Sequence, residues 1–317
     1  MMGRLLIAGA FWVSVVGCGM SQAASPGFAT AKRDDTKARP AKEGSATLHL
    51  KSGGLERSCR LIGDFDGIPR PLVILIHCSS DTSDSIVKKT GFGELARREG
   101  FLLAVPEVAA PGKGWTSHPK IFGKEAPADD LAFFRDLLSR LKSDPTVDPH
   151  RIYLAGHLSG AMMAFRLAAD MPEQFAAVGA VNGTIGVTAQ STGVTSILRQ
   201  PAVPIPVIAF HGWDNDVMPY DGGPAARAKR EYVSVNDTIQ FWRKANSCTA
   251  APQVERFGNR DTVRILYPSV GAGADVILYK LPKHDHEWPT TVLDSEDGVR
   301  RTPAEIMWQF FSSHRRK

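Results

Sequence analysis

The sequence holds only four cysteines in 317 residues, none in a Cys-x-x-Cys pair. A cysteine-based zinc knuckle is therefore not expected, nor is a scaffold that depends on dense disulfides in place of a core. No apolar run reaches the roughly 20 residues that a membrane span requires, which excludes a multi-span architecture. A large excess of one charge is also missing: 38 Lys and Arg stand against 33 Asp and Glu, and the basic residues are scattered apart from a short tail at His314–Lys317. A nucleic-acid partner is not expected from this pattern. What remains is a chain with 43% hydrophobic and 22% charged residues, the balance of a folded globular protein.

The first residues read as an export leader. Arg4 precedes a mostly apolar stretch, Leu5 to Val16, too short for a stable span, and small residues follow. Val15-Val16-Gly17-Cys18 resembles a bacterial lipobox, which would make Cys18 a lipidated mature N-terminus; a competing cut lies after Ala23. The expectation is a signal segment over 1–23, a flexible tether over 24–45 and one domain over 46–317. The destination is outside the cytoplasm, secreted or held at the envelope through a lipid anchor. The tether is poor in large apolar side chains and cannot bury enough surface to offset its ordering entropy. With Cys18 lipidated, Cys59, Cys78 and Cys248 allow at most one bridge, and the sequence does not choose the pair.

Beyond the tether, strand-like and helical runs alternate. Strands are expected at Thr47–Leu50, Arg57–Ile62, Pro71–Ile76, Phe101–Val105, Arg151–Ala155, Phe175–Val181, Pro206–Phe210, Val263–Tyr267 and Val276–Leu281. Helices are expected at about Ile86–Arg98, from Pro127 and Asp129 through Leu141, at Ala161–Ala168, at Val235–Ala245 and at Ala304–Phe311. Such alternation gives an α/β fold, a mainly parallel sheet with helices on both faces. About eight strands with an antiparallel start fit an α/β-hydrolase sheet. Thr184–Pro204 reads as a long surface loop or a cap over a site.

Several short anchors recur in order along the chain: Leu55-Glu56-Arg57-Ser58, Ile76-His77, Met162-Met163-Ala164, His211-Gly212 with Pro219-Tyr220-Asp221-Gly222-Gly223, Phe241-Trp242 with Cys248, and His286-Glu287-Trp288-Pro289. In these the chain resembles secreted polyhydroxybutyrate depolymerases and feruloyl-esterase-like proteins, a branch of the α/β-hydrolases. The resemblance implies hydrolysis of small or polymeric carboxylic esters by a Ser–His–Asp triad, with the serine on a G-x-S-x-G turn between strand and helix. It implies no metal and no cofactor. It also implies structural places for His77 and His211 at strand ends. A monomer is expected.

The chain departs from that pattern at the reacting positions. The turn reads Gly156-His157-Leu158-Ser159-Gly160, which puts Leu158 at the nucleophile position and Ser159 one residue later. The acid position falls on Asn215, flanked by Asp214 and Asp216, while His286 is kept. The oxyanion loop, glycine-rich in the family, reads His77-Cys78-Ser79-Ser80. The expectation is weak or lost ester hydrolysis, with a double change, Leu158→Ser and Asn215→Asp, expected to restore some activity. Two other readings stand beside it: an active esterase with the displaced triad Ser159, His286 and Asp216 (or Asp214), and a non-catalytic protein that binds a ligand or partner in the old cleft. A metal reading on His284, Asp285 and His286 with His157, His211 or Asp216 has little ligand spacing to support it. Trp115, Trp213, Tyr220 and Trp288 are read as cleft-lining or packing aromatics.

Overall fold

The computed structural model describes residues 45–109, 114–122, 128–226, 228–257, 262–290, 292–294 and 299–316. The signal segment with Cys18, the tether up to residue 44 and Pro127 lie outside them. The first strands, β1 (Ser45–Ser52) and β2 (Leu55–Ile62), form the expected antiparallel hairpin. β3 (Arg70–Ile76) then runs through the centre with residues 72–76 fully buried. Its continuous apolar run serves two cores at once: Leu72, Ile74 and Ile76 pack on one face of the sheet, Val73 and Leu75 on the other. Side chains alternate across a strand, so a strand covered on both faces needs apolar residues at every position.

The single helix expected over 86–98 is two, α1 (Ser83–Thr90) and α2 (Phe92–Glu99). Gly91 ends the first and opens the second at φ 75°, a left-handed conformation that no right-handed helix can run through. β4 (Leu102–Pro106) follows, then the short α3 (Pro119–Phe122) and α4 (Asp130–Lys142). Asp129 caps α4 by accepting the Ala132 N–H at 3.0 Å.

The chain continues through β5 (Val147–His157), α5 (Ser159–Asp170), β6 (Ala177–Val181), β7 (Gly186–Ala189), β8 (Thr195–Ile197) and β9 (Val207–Gly212). Next come β10 (Gly223–Pro224), β11 (Arg230–Tyr232), α6 (Val235–Ala245) and β12 (Gln253–Phe257). β13 (Thr262–Tyr267), β14 (Val276–Leu281), β15 (Leu293–Asp294), β16 (Arg300–Arg301) and α7 (Pro303–Ser312) complete it.

The main sheet has ten strands in the order β1-β2-β4-β3-β5-β6-β9-β14-β13-β12. The six central strands, β4 to β14 in that order, are mutually parallel, and antiparallel pairs finish both edges. Aromatic and aliphatic side chains of α4, α5 and α6 fill one face, with Phe133, Phe165 and Trp242 fully buried, while α1, α2 and α7 cover the other through Ile86, Phe92 and Phe311. This is the α/β-hydrolase arrangement. β12 escapes a sequence reading because it lies at an edge and buries no residue fully, which leaves no apolar alternation to see. The 184–204 stretch is not irregular either. It supplies β7 and β8 of a separate four-stranded antiparallel sheet, ordered β10-β11-β7-β8. Cys59, Cys78 and Cys248 are free, buried thiols, so none of these three is bridged to another. Among the described residues no helix is long and apolar enough to cross a membrane.

Candidate active site

β3, β5, β6 and β9 are parallel neighbours and end at the same edge, which gathers the residues just past each strand end into one place. Ile76 pairs with Gly156 in register, so His77 and Cys78 lie beside His157 and Leu158. The turn from β5 into α5 is tight. A Cβ on Gly156 would stand 2.4 Å from the Gly160 carbonyl oxygen, and one on Gly160 would stand 2.1 Å from that of Ile76. Only glycine permits such approaches.

At the apex of this turn stands Leu158, with φ 49° and ψ −117°. A branched side chain held there costs about 1–3 kcal/mol, strain that is paid only where the surroundings enforce it. The surroundings are specific: Leu158 N–H donates to Val181 O at 2.9 Å, and Met162 N–H donates to Leu158 O at 3.0 Å. Its side chain packs into a small apolar cluster with Cys78, Met162, Val187, Met218 and Tyr232.

Ser159 is the first helical residue of α5 and makes no helix cap. Its Oγ accepts the Ser79 N–H at 3.1 Å, so it faces the loop after β3. That N–H belongs to the His77–Ser80 stretch, which the family resemblance makes the oxyanion loop.

His286 sits on the loop after β14. Its Nδ1 lies 3.2 Å from Asp216 Oδ1, an ion-pair distance without the alignment of a hydrogen bond. Asn215 does not face His286. It is buried, its Oδ1 accepts the N–H groups of Val217 at 3.0 Å and Met218 at 2.8 Å, and its Nδ2 is 3.3 Å from His211 Nε2. Asn215, where the family pattern expects the acid, thus folds the loop, and the carboxylate beside the imidazole is that of the next residue, Asp216. Asp214 has its backbone N–H on His284 O at 3.0 Å.

The backbone of the His286 loop is held by two residues outside any triad. His157 Nε2 donates to His286 O at 2.9 Å. Asn182, buried at the end of β6 with φ 56°, donates from Nδ2 to Asp285 O and Glu287 O at 3.3 and 3.2 Å, and accepts from Gly212 N at 2.9 Å. Sequence reasoning passed over Asn182; its signal is an Asn-Gly pair directly after a buried strand, where asparagine tolerates positive φ.

Burial pushes the imidazoles of His157 and His211 down to about 4. Burial also raises the Cys78 thiol. It opposes ionisation of Asp81 as well, yet hydrogen bonds from Cys78 and Lys89 outweigh it and leave that carboxyl below its ordinary value.

His77 Nδ1 lies 2.7 Å from Cys78 O, and its Nε2 is 3.1 Å from Glu107 Oε2, a structural placement. Trp115 and Trp288 are buried: the first donates to His77 O at 2.7 Å, the second packs edge-on to Phe92 and His157. Tyr220 is buried too and stacks on Trp213, which is 51% exposed and so the one of the four able to meet a ligand. Among the described residues His284, Asp285 and His286 form no metal-competent group; the group that the fold does make is Cys78, Asp81 and His157.

The profile of the esterase PHB depolymerase family matches residues 67–258, a span that runs from the turn before β3 to the end of β12 and includes the elbow. The chain belongs to that family. Among relatives, a putative esterase NocK of Nocardia uniformis subsp. tsuyamanensis is 27% identical over 235 residues, 69% of this chain and 66% of that protein. Feruloyl esterase B of Piromyces equi is 25% identical over 60% of this chain and 35% of its own length. Poly(3-hydroxyalkanoate) depolymerase C of Paucimonas lemoignei is 24% identical over 60% of this chain and 44% of its own. The matched region thus spans less than two thirds of each relative. An acetyl xylan esterase from Aspergillus awamori superposes with a TM-score of 0.56 at 13% identity, covering 84% of this chain and 99% of that one, which bears on the fold alone. Against the family's G-x-S-x-G turn, the esterase PHB depolymerase member described here carries a leucine at the apex.

Proposed function

We propose that this protein is a disarmed member of the esterase PHB depolymerase family: it keeps the hydrolase scaffold and the acid–imidazole pair but hydrolyses esters weakly or not at all. The observation that carries the reading is Leu158 at the elbow apex in the strained turn conformation. An aliphatic side chain has no atom that can attack a carbonyl. The oxygen nearest in sequence, Ser159 Oγ, is engaged by the Ser79 N–H. A serine in that position occupies a donor that the transition state needs, and productive attack tolerates little misplacement.

The ligand class is an ester of an apolar acyl or aryl group, small or part of a polymer. The names of the relatives (feruloyl, acetylxylan and polyhydroxyalkanoate esters) and the apolar surroundings of Leu158 support it. Export through the 1–23 leader, with or without lipid on Cys18, belongs to the same proposal.

One observation favours a second reading, an active displaced triad of Ser159, His286 and Asp216: the Asp216–His286 pair is already together at 3.2 Å. Turnover of short-chain p-nitrophenyl esters by the purified protein separates the two. The expected result is no hydrolysis above the buffer rate. Hydrolysis that disappears in Ser159→Ala would establish the displaced triad.

A further inference from the structure

Past the end of β3 the chain turns back on itself, with Asp81 N–H donating to Cys78 O at 3.1 Å. The turn places Cys78 Sγ 3.2 Å from Asp81 Oδ2. Because β3 and β5 are adjacent and in register, the same turn lies against His157. The ligand-type atoms of Cys78, Asp81 and His157 all fall within 4.8 Å of one another.

The imidazole explains what this grouping is for. His157 is 1% exposed, and its Nε2 faces only a carbonyl oxygen, that of His286, so Nε2 carries the proton. Nδ1 is therefore the lone-pair nitrogen. It is buried and has no hydrogen-bond partner among the described residues. A buried acceptor left unpaired is costly unless something binds it. A histidine fixed by an N–H to a carbonyl, its other nitrogen left as an unpaired acceptor and its ring beside a thiol and a carboxylate, is held as metal-ligating histidines are.

We infer that Cys78, Asp81 and His157 form a binding site for a zinc-class divalent cation, with the fourth position open. This departs from the expectation of no metal drawn from the sequence, and it is independent of whether the protein hydrolyses esters. The donor set is one sulfur, one imidazole nitrogen and one carboxylate oxygen, the mixture zinc accepts. In a tetrahedral zinc site such donors are about 3.3–3.7 Å apart, given bonds of about 2.0–2.3 Å. The Sγ–Oδ2 edge, at 3.2 Å, already has about that length, and no pair of donors is more than 4.8 Å apart, so closing the set takes a shift of about 1.5 Å or less.

The carboxylate is fixed from two sides: Ser85 Oγ donates to Asp81 Oδ1 at 3.0 Å, and Lys89 Nζ spans both oxygens, 3.1 Å from Oδ1 and 3.2 Å from Oδ2, so a bound cation takes the Oδ2 lone pair that the Cys78 thiol now occupies. Lys89 also lies 3.4 Å from Glu287, which offsets its charge against an incoming cation. On binding, the Cys78 thiol loses its proton to solvent as the sulfur–metal bond forms, and Nδ1 and Oδ2 donate lone pairs without further proton loss. The site adjoins the elbow, since Cys78 packs against Leu158.

The test uses the full chain, stripped with a chelator and titrated with Zn²⁺ and Co²⁺. One equivalent of zinc per chain is expected. The Co²⁺ form is expected to show thiolate-to-cobalt charge-transfer absorption in the near ultraviolet. Loss of a supporting partner alone weakens such sites by about 10–100-fold, so Cys78→Ser and Asp81→Asn should each weaken binding by about 100-fold or more. Cys248→Ser, whose thiol lies elsewhere in the core, should leave it unchanged. Absence of stoichiometric binding by the unmodified chain, or a cobalt charge-transfer band that survives Cys78→Ser, overturns the inference. The cobalt spectrum of the unmodified chain decides the matter even if a variant fails to fold.

Discussion

At the residue scale the account turns on two replacements that behave differently. On the proposed reading Leu158 removes the attacking atom, whereas Asn215 removes nothing, because the carboxylate beside the His286 imidazole is that of Asp216. Reading positions without gaps could not separate these cases: a loop can re-aim a carboxylate by one residue, but the elbow is pinned by Val181 O and by the start of α5. Leu158→Ser alone is therefore expected to create measurable p-nitrophenyl esterase activity, with Asn215→Asp adding nothing. Adding Asp216→Asn to that variant should lower the new activity by about 10³–10⁴-fold, as an amide cannot stabilise the imidazolium. If Asn215→Asp proves necessary, the assignment of the acid is wrong. Leu158→Ser also gives up apolar packing and should cost about 1–3 kcal/mol of stability, read from the urea midpoint.

At the element scale the elbow was legible because glycines at fixed offsets around a strand-to-helix switch have few other uses. The close approaches at Gly156 and Gly160 give that pattern its physical content. Gly160→Ala would drive a methyl into the backbone of β3, so the variant is expected to be insoluble or to lose more than about 4 kcal/mol; a near-native thermal midpoint would refute the packing. What the sequence hid at this scale has a common cause. α1 and α2 merged because Gly91 sits inside an otherwise helical pattern. β7 and β8 looked like loop because such short strands carry too little apolar alternation to see. The Cys78–Asp81–His157 grouping joins residues from two strand ends and a turn, and becomes visible only once the β3–β5 register is known.

At the scale of the whole molecule, one ion pair ties the hairpin entrance to the helical layer. Arg57 and Asp130 meet at 2.8 Å with both side chains almost fully buried, and the guanidinium stacks 3.8 Å over Phe133. Asp130→Ala would leave that guanidinium buried without its counter-charge and should cost about 3–5 kcal/mol, measurable by denaturant unfolding.

Acid should act through buried imidazoles. His211 contacts Met218 O, and His118 contacts Ile185 O near the charges of Arg166 and Arg230; burial holds both at about 4. The unfolded chain takes up those protons near its ordinary value of about 6.5, the folded chain only near 4. Stability is then unaffected above about pH 6.5, falls as the pH drops from there toward 4, and levels off for these groups below it. Each imidazole contributes up to about 3 kcal/mol to the loss. A urea midpoint that stays flat between about pH 7 and 5 would contradict this.

The central claim, that the elbow carries no nucleophile, is tested most directly by labelling with a fluorophosphonate probe, followed by peptide mapping of the unmodified protein and of Leu158→Ser. The account predicts no label on the first and a label at residue 158 on the second. A label on Ser159 of the unmodified protein would contradict it.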